Sequence, residues 1–255
     1  MYYDGNELYR YLVEQRRTDR YFWVSGDMWT LLYSDSVGQP LLLCFVSRAD
    51  REDELDDPAT VEEARAFQWF RVLADRTGLP LISLRFAEEF EQPCRTFRFR
   101  AYRAGVAAER ISSEELLNRL KKLGLPLQET AAGKKVNDRA SSSFHLWQRA
   151  HMGSRVVATD LDLIRFCEGE VDTLYELKRS YLALDDWSPF RADRVNYLAG
   201  ANLARMLGAD YRVVYNVRYT KPEFYDDISQ VKVYNMDQGW PGECLGLFAV
   251  EDYFN

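Results

Sequence analysis

Residues 160–178 read "DLDLIRFCEGEVDTLYELK", two apolar runs on either side of a polar turn centred on Gly169. Both runs have the alternating pattern of strands, in which every second side chain shares one face of a sheet. Acids nevertheless stand inside these runs at Asp160, Asp162 and Glu176. Strand interiors usually favour Val, Ile or Thr, so the acids point to a function beyond packing.

If the runs form an antiparallel hairpin, residues equidistant from Gly169 face each other. This register places Asp162 opposite Glu176 and Asp160 opposite Lys178, with Cβ atoms about 5 Å apart. Two ionised carboxylates at that separation repel each other unless a cation lies between them. Mg²⁺ binds one or two carboxylates together with water and phosphate oxygens.

Lys178 lies on the same face and can orient or deprotonate a water, or stabilise charge on a phosphate. Two carboxylates, a metal and a lysine are the groups that phosphodiester hydrolysis uses. The alternative is a set of ordinary ion pairs on a solvated face, in which Lys178 bridges Asp160 and Glu176.

The same pattern occurs earlier in the chain. Residues 28–48 align without a gap to residues 159–179, and in each copy an acidic loop, a helix ending at glycine and two strands follow. This order predicts a duplicated α/β unit, and chance similarity of α/β patterning is the alternative. We expect a first domain over residues 1–123, a linker over 124–140 and a second domain over 141–255.

The first copy lacks the charged side chains. Its predicted register places Leu31 opposite Phe45 and Trp29 opposite Ser47, so that copy cannot bind a metal through these positions. We therefore expect it to be a degenerate partner of the second copy.

Composition limits the class of protein. The 255 residues are 47% hydrophobic, the four cysteines have no C-x-x-C spacing, and no apolar run approaches the length of a membrane span. The start lacks a signal-peptide pattern, so we expect a soluble cytoplasmic protein without a membrane partner. The cysteines are expected to be reduced thiols rather than zinc ligands.

Charge is unevenly distributed. The net charge is −7, but residues 95–149 carry 12 Lys and Arg against 5 Asp and Glu, a net +7. This basic segment, which includes "RTFRFRAYR" (95–103), is either a strip that contacts nucleic-acid phosphates or a solvated surface.

The stretch "ATDLDLIRFCEGEVDTLYELKRS" (158–180) resembles the PD-(D/E)XK nuclease superfamily, which includes restriction enzymes, Holliday-junction resolvases and recombination exonucleases. The resemblance lies in an Asp on one strand, Asp162, and Glu-x-Lys on the next, Glu176-Leu177-Lys178. It covers about residues 141–235, although an acid on the preceding helix and the proline before the Asp are missing.

The resemblance implies two tandem restriction-endonuclease-like α-β-β-β-α-β units, each with a mixed sheet flanked by helices. Asp162 and Glu176 would hold Mg²⁺ or Mn²⁺, helped by the Leu177 carbonyl, and Lys178 would be the catalytic lysine. Asp160 would either support the metal ligands from behind or bind a second metal ion. Substrate contacts are expected from helices on either side of the hairpin, with surface or core roles as the alternative: Gln148, Arg194, Asn196 and Tyr197.

The leading hypothesis is thus a metal-dependent nuclease that hydrolyses DNA. A non-catalytic nuclease-fold protein that binds nucleic acid or a protein partner is the first alternative. A third is an α/β protein whose acids form structural ion pairs. The sequence leaves open whether DNA or RNA is bound, whether cleavage is at ends or internal, and whether the chain forms a homodimer.

Overall fold

The computed structural model describes residues 7–24, 26–89, 91–102, 107–128, 142–221 and 223–255. The strands are β1 (Tyr21–Phe22), β2 (Met28–Asp35), β3 (Pro40–Ala49), β4 (Leu81–Ala87), β5 (Thr96–Ala101), β6 (Glu109–Ser112), β7 (Val156–Asp160), β8 (Leu163–Cys167), β9 (Glu170–Ser180), β10 (Asp210–Tyr219), β11 (Tyr225–Asn235) and β12 (Glu243–Ala249). The α-helices are α1 (Glu7–Glu14), α2 (Val61–Thr77), α3 (Ser113–Lys122), α4 (Ser143–His151), α5 (Arg194–Leu207) and α6 (Val250–Tyr253).

The chain divides into two compact units. Val24–Asp160 forms one, which we call the N-unit, and Leu161–Asn255 forms the other, the C-unit, together with the residues up to Trp23. The predicted second domain began at residue 141, whereas α4 and β7 belong to the N-unit. Residues 129–140 of the predicted linker lie outside the described residues.

Each unit contains one six-stranded mixed sheet. The N-unit order is β7-β2-β3-β4-β5-β6 and the C-unit order is β1-β8-β9-β10-β11-β12. In both sheets the third and fourth strands are parallel, joined by a long helix, and the remaining neighbours are antiparallel. The two halves therefore share one topology, as the duplicated pattern predicted.

One of the two edge strands of each sheet comes from the other half of the sequence. α1 and β1 precede the N-unit in the chain but belong to the C-unit. α4 and β7 follow the predicted linker but belong to the N-unit. The predicted strand across residues 160–164 is accordingly broken, because β7 ends at Asp160 and β8 begins at Leu163.

The C-unit hairpin has the predicted register from Leu163 to Arg165, but a bulge after Arg165 shifts the pairing nearer the turn by one residue, so that Phe166 pairs with Val171. Leu163 pairs with Tyr175 and Ile164 with Leu174, equidistant from Gly169. The turn has two residues, Glu168 and Gly169, at φ values of 52° and 81°, and positive φ at both central positions is the geometry of tight hairpin turns.

The predicted N-unit register is wrong by one residue. Leu31 pairs with Cys44 and Trp29 with Val46, in place of Phe45 and Ser47. The loop that joins these strands spans residues 36–39, so the hairpin is centred between Val37 and Gly38 rather than on Gly38, and a one-residue slip changes every cross-strand partner.

The long helices begin and end where the sequence signals them. At the start of α2 the Thr60 hydroxyl accepts a hydrogen bond from the Glu63 N–H, while the Glu63 carboxylate accepts one from the Thr60 N–H. α2 and α5 end at Gly78 and Gly208, both left-handed, a conformation that glycine adopts without strain.

In the N-unit, alternation along β5 separates core from solvent. Phe97 and Phe99 are buried with α4, and the Phe97 ring lies 5.1 Å from that of Trp147. Arg98 and Arg100 therefore point to the opposite face of the sheet, which α2 covers.

In the C-unit, one face of β9 packs against α1: Tyr175 is in the same core cluster as Leu8 and Leu12. The opposite face, with Glu176 and Lys178, lies toward α5.

None of the helices in the described ranges has the length and apolar composition of a membrane span. The predicted α/β class with two mixed sheets flanked by helices is confirmed.

Candidate functional sites

The first candidate site is the ionic cluster on β9 of the C-unit. Asp162 lies in the short connection before β8, where its Oδ2 accepts a hydrogen bond of 2.8 Å from the Leu177 N–H. Lys178 Nζ lies 2.8 Å from Glu176 Oε1 and 3.5 Å from Asp193 Oδ2. The structure thus brings Asp162, Glu176 and Lys178 to one stretch of the sheet, joined by Asp193, which the sequence did not single out.

Lys178 is held as a cation by this cluster. Burial acts to lower its pKa, but the Glu176 carboxylate, with contributions from Tyr197 and Asp193, outweighs burial and raises the pKa above its usual value. Only 25% of the Lys178 side chain and 10% of the Glu176 side chain are exposed. As arranged, Lys178 can donate hydrogen bonds and stabilise negative charge, but it cannot remove a proton from water.

Two buried phenols enclose the cluster. Lys178 Nζ lies 5.8 Å from the centre of the Tyr197 ring, and Tyr197 and Tyr211 are almost fully buried. Burial, followed by the charge of Glu176, raises the pKa of Tyr211 well above its usual value. The Tyr211 ring packs directly on Gly200 of α5, where a Cβ would lie 2.3 Å from Tyr211 Cζ.

Two predicted site residues lie elsewhere. Asp160 pairs with Leu31 in the N-unit sheet, so the predicted position opposite Lys178 is wrong. Gln148, on α4, also belongs to the N-unit and donates a 2.6 Å hydrogen bond to the Tyr33 hydroxyl. The local sequence could not reveal this, because the chain changes sheets at residues 161–162.

The predicted substrate contacts on α5 differ in accessibility. Arg194 is exposed at the start of the helix, Asn196 is half-buried, and Tyr197 is buried beside Lys178. Tyr197 therefore belongs to the ionic cluster, whereas only Arg194 is openly accessible to a ligand.

The residues of the cluster do not fit a divalent metal as they are arranged. Asp162 Oδ2 is engaged with the Leu177 N–H and Glu176 Oε1 with Lys178. Within the described ranges, no three His, Cys, Asp or Glu side chains are grouped so that they could hold a metal ion. Mg²⁺ or Mn²⁺ at this position remains a prediction.

The second candidate site is a cleft of about 380 Å³ in the N-unit, between α2 and strands β3 to β5, which we call the arginine cleft. Four arginines line it: Arg71, Arg85, Arg98 and Arg100. Three aromatic residues also line it: Phe45, Phe67 and Tyr102. Phe45 and Ser47, which the sequence alignment matched to Glu176 and Lys178, both face this cleft.

Two of these arginines are bound by the protein itself. Arg85 forms an ion pair with Glu63 and donates to the Asp57 carbonyl at 2.7 Å. Arg98 donates to the carbonyls of Asp57 at 2.8 Å and Leu55 at 3.3 Å. Because cross-strand neighbours of like charge repel, these acceptors stabilise the adjacent Arg85 and Arg98.

The other two arginines stack on aromatic rings. Arg71 Cζ lies 4.7 Å from the centre of the Tyr102 ring, and Arg100 Cζ lies 5.7 Å from that of Phe67. The two rings meet edge to face at 6.3 Å. Both guanidinium-to-ring distances are within the range of cation–π contacts. Arg71 Nε is buried without a hydrogen-bond partner among the described residues.

Sequence reasoning identified the basic segment but not the cleft. The alternation of Phe97 and Phe99 with Arg98 and Arg100 indicates one basic strand face. Arg71 could be found only by knowing which face of α2 lies toward the sheet.

A neighbouring cavity of about 440 Å³ shares Ser47, Glu63 and Arg85 with the arginine cleft. Its remaining charged lining is mainly acidic, and one of these acids, Asp27, is paired with Arg48 at 2.8 Å. The Arg85 and Glu63 pair therefore marks the boundary between a basic and an acidic depression.

Comparisons with known proteins yield little similarity. No protein-family model and no curated protein matches the chain. A sex pheromone staph-cAM373 precursor is 8% identical, with 94% of this chain and 88% of that chain covered and a TM-score of 0.16. A sex pheromone precursor from Lactobacillus salivarius is 7% identical, with 86% and 67% covered and a TM-score of 0.15. Similarity this low supports no conclusion about fold or function.

Proposed function

We propose that this chain is a non-catalytic binding protein whose arginine cleft holds a nucleotide, either free or within a nucleic-acid strand. The observation that carries the proposal is the stacking of Arg71 and Arg100 on Tyr102 and Phe67. Neither guanidinium forms an ion pair or hydrogen bond within the part of the chain that the structure describes.

Stacking leaves the useful edge of an arginine accessible. A guanidinium carries five N–H donors in its plane, and these match the oxygens of a phosphate in a bidentate arrangement. Because Arg71 and Arg100 lie over aromatic rings and form no hydrogen bond among the described residues, their donors remain for a ligand in the cleft. Their rotamers are also restricted before binding, which reduces the entropy cost of association.

The shape and lining of the cleft suit one nucleotide. Its volume of about 380 Å³ lies within the range of roughly 300–1,000 Å³ typical of small-ligand sites. Aromatic side chains accept nucleobases of any sequence by stacking, and the partly exposed rings of Phe67 and Tyr102 provide such surfaces. The net charge of −7 opposes a long polyanion, so a single bound unit is favoured over an extended strip.

Metal-dependent DNA hydrolysis is the second candidate. It is favoured by the convergence of Asp162, Glu176 and Lys178, but the ion pair of Lys178 with Glu176 engages the groups that a metal and a water would need. We therefore rank binding above catalysis, and a metal titration separates the two.

Binding can be tested by fluorescence anisotropy with short labelled single-stranded DNA and by calorimetry with mononucleotides. We expect wild-type protein to bind and the double variant Arg71→Gln/Arg100→Gln to bind at least about tenfold more weakly, about 1.4 kcal/mol. Lys121→Gln/Lys122→Gln removes equal charge from an exposed part of α3 and should change affinity less than about twofold. Absence of binding by the wild type, or equal binding by the cleft variant when folded, overturns the proposal.

A further inference from the structure

We infer that the arginine cleft recognises a terminal phosphate monoester, such as the 5′-phosphate of a nucleotide or of a strand end, in preference to an internal phosphodiester. This inference rests on the proposed function of the same cleft. It specifies which phosphate the cleft distinguishes.

The first reason is charge. Four arginines and one acid, Glu63, line the cleft, so its lining carries a net charge of +3 after Glu63 neutralises Arg85. Arg98 donates only to backbone carbonyls and keeps its charge. A phosphate monoester carries about −1.5 to −2 at neutral pH, whereas a diester carries one negative charge. A cleft of this positive charge therefore attracts the monoester more strongly than the diester.

The second reason is geometry. Arg71 reaches the cleft from α2 and Arg100 from β5, so the two guanidinium groups come from two different walls. A monoester has three terminal oxygens, which allows two planar forks to bind at once. A diester has only two terminal oxygens. The nucleic-acid strand continues from both of its ester oxygens, so a cleft covered by α2 would need room for the strand on both sides.

The third reason is burial. The Arg71 Nε–H is removed from solvent and has no acceptor among the described residues. A buried donor without a partner is destabilising, and a ligand oxygen that reaches Arg71 Nε would satisfy it. A terminal phosphate can place an oxygen at the depth of Arg71 Nε more easily than a phosphate in the middle of a strand can.

The test compares one oligothymidylate with a 5′-phosphate and the same strand with a 5′-hydroxyl, together with dTMP and thymidine. We expect the 5′-phosphate to improve affinity at least about tenfold at pH 7.5, and dTMP to bind where thymidine does not. At pH 5 the preference should shrink, because the second pKa of the phosphate is about 6. If dTMP binds but the phosphorylated strand does not, the phosphate monoester that the cleft recognises is that of a free nucleotide, and the inference still holds.

Arg71→Lys provides a second readout, because lysine keeps the charge but loses the planar fork. It should retain weak binding to both strands and lose the preference. Equal affinity of wild type for both strands would overturn the inference and leave the proposed function standing. If neither the strands nor dTMP bind at millimolar concentration, both fail.

Discussion

Glu176 and Lys178 stand two residues apart on one face of β9, and their Oε1 and Nζ atoms are 2.8 Å apart. The two residues that the sequence matched to a carboxylate ligand and a catalytic lysine are therefore each other's partners. The matched positions of the N-unit, Phe45 and Ser47, face the arginine cleft instead. The same location in the repeated topology holds an ionic cluster in one copy and an open depression in the other.

Lys178→Met should destabilise the protein, because it leaves the Glu176 carboxylate buried without its cation. Breaking a buried pair costs about 3–5 kcal/mol, and the partial exposure of Lys178 reduces the expected loss to about 2–3 kcal/mol. Urea denaturation measures it. The double variant Glu176→Gln/Lys178→Met should recover most of the loss, and a Lys178→Met protein as stable as wild type would contradict the assigned pairing.

Mn²⁺ or Mg²⁺ should not stabilise the protein. A ligand that binds only the folded state raises the melting temperature, and the carboxylates of the ionic cluster are already engaged. We expect a change in melting temperature of less than about 1 °C on adding millimolar Mn²⁺, and no metal-dependent cleavage of plasmid or linear DNA. A rise that Asp162→Asn and Glu176→Gln abolish, with cleavage lost in Lys178→Ala, would instead support the nuclease hypothesis.

Gly200→Ala should destabilise the C-unit although alanine favours helices. The helix gain is about 1 kcal/mol, but the new Cβ would lie 2.3 Å from Tyr211 Cζ, and overpacking of this kind costs about 1–3 kcal/mol. Because Tyr211 is buried and a 2.3 Å approach is far inside van der Waals contact, the cost lies at the upper end of that range, and we expect a net loss of about 2 kcal/mol in chemical denaturation. In a Tyr211→Val background the ring is absent, and the same change should become neutral or stabilising. A loss that persists there would show that Tyr211 is not the cause.

Acid should weaken the N-unit through Glu63. Burial acts to raise the pKa of Glu63, but hydrogen bonds from Ser47, Arg85 and the Thr60 N–H hold it below its usual value of 4.5. A depressed folded pKa gives stability that is present above pH 4.5 and lost as pH falls through the folded pKa. Glu63→Gln should lower stability near pH 7 by about 2 kcal/mol and flatten the decline between pH 5 and pH 3. If the free energy of unfolding of Glu63→Gln declines between pH 5 and pH 3 as steeply as that of the wild type, groups other than Glu63 cause the acid sensitivity.

The sequence predicted elements that carry strong local signals. Gly78 and Gly208 marked the ends of the long helices, and Gly169 marked the turn of the C-unit hairpin, but the bulge after Arg165 had no local signal. The duplicated topology followed from the repeated order of elements. The sequence did not predict two short edge strands, because their residues lack a strong period-two pattern: Glu109–Ser112 and Glu243–Ala249.

The exchange of edge strands could not be predicted, because no local pattern tells which sheet a strand joins. The residues around Asp160 and Asp162 read as one strand, yet the chain changes sheets between them. The arginine cleft was hidden for a similar reason: Arg71 and Arg100 are 29 positions apart in the chain, and only the packing of α2 over the sheet brings them to one cavity.

The most direct test of the central claim is a crystal soaked with 5-bromodeoxyuridine monophosphate, with anomalous scattering used to locate the bromine. The account predicts a bromine peak between α2 and strands β3 to β5, with phosphate density in contact with Arg71 and Arg100. A peak confined to another part of the molecule, or an empty arginine cleft at millimolar nucleotide, would contradict it.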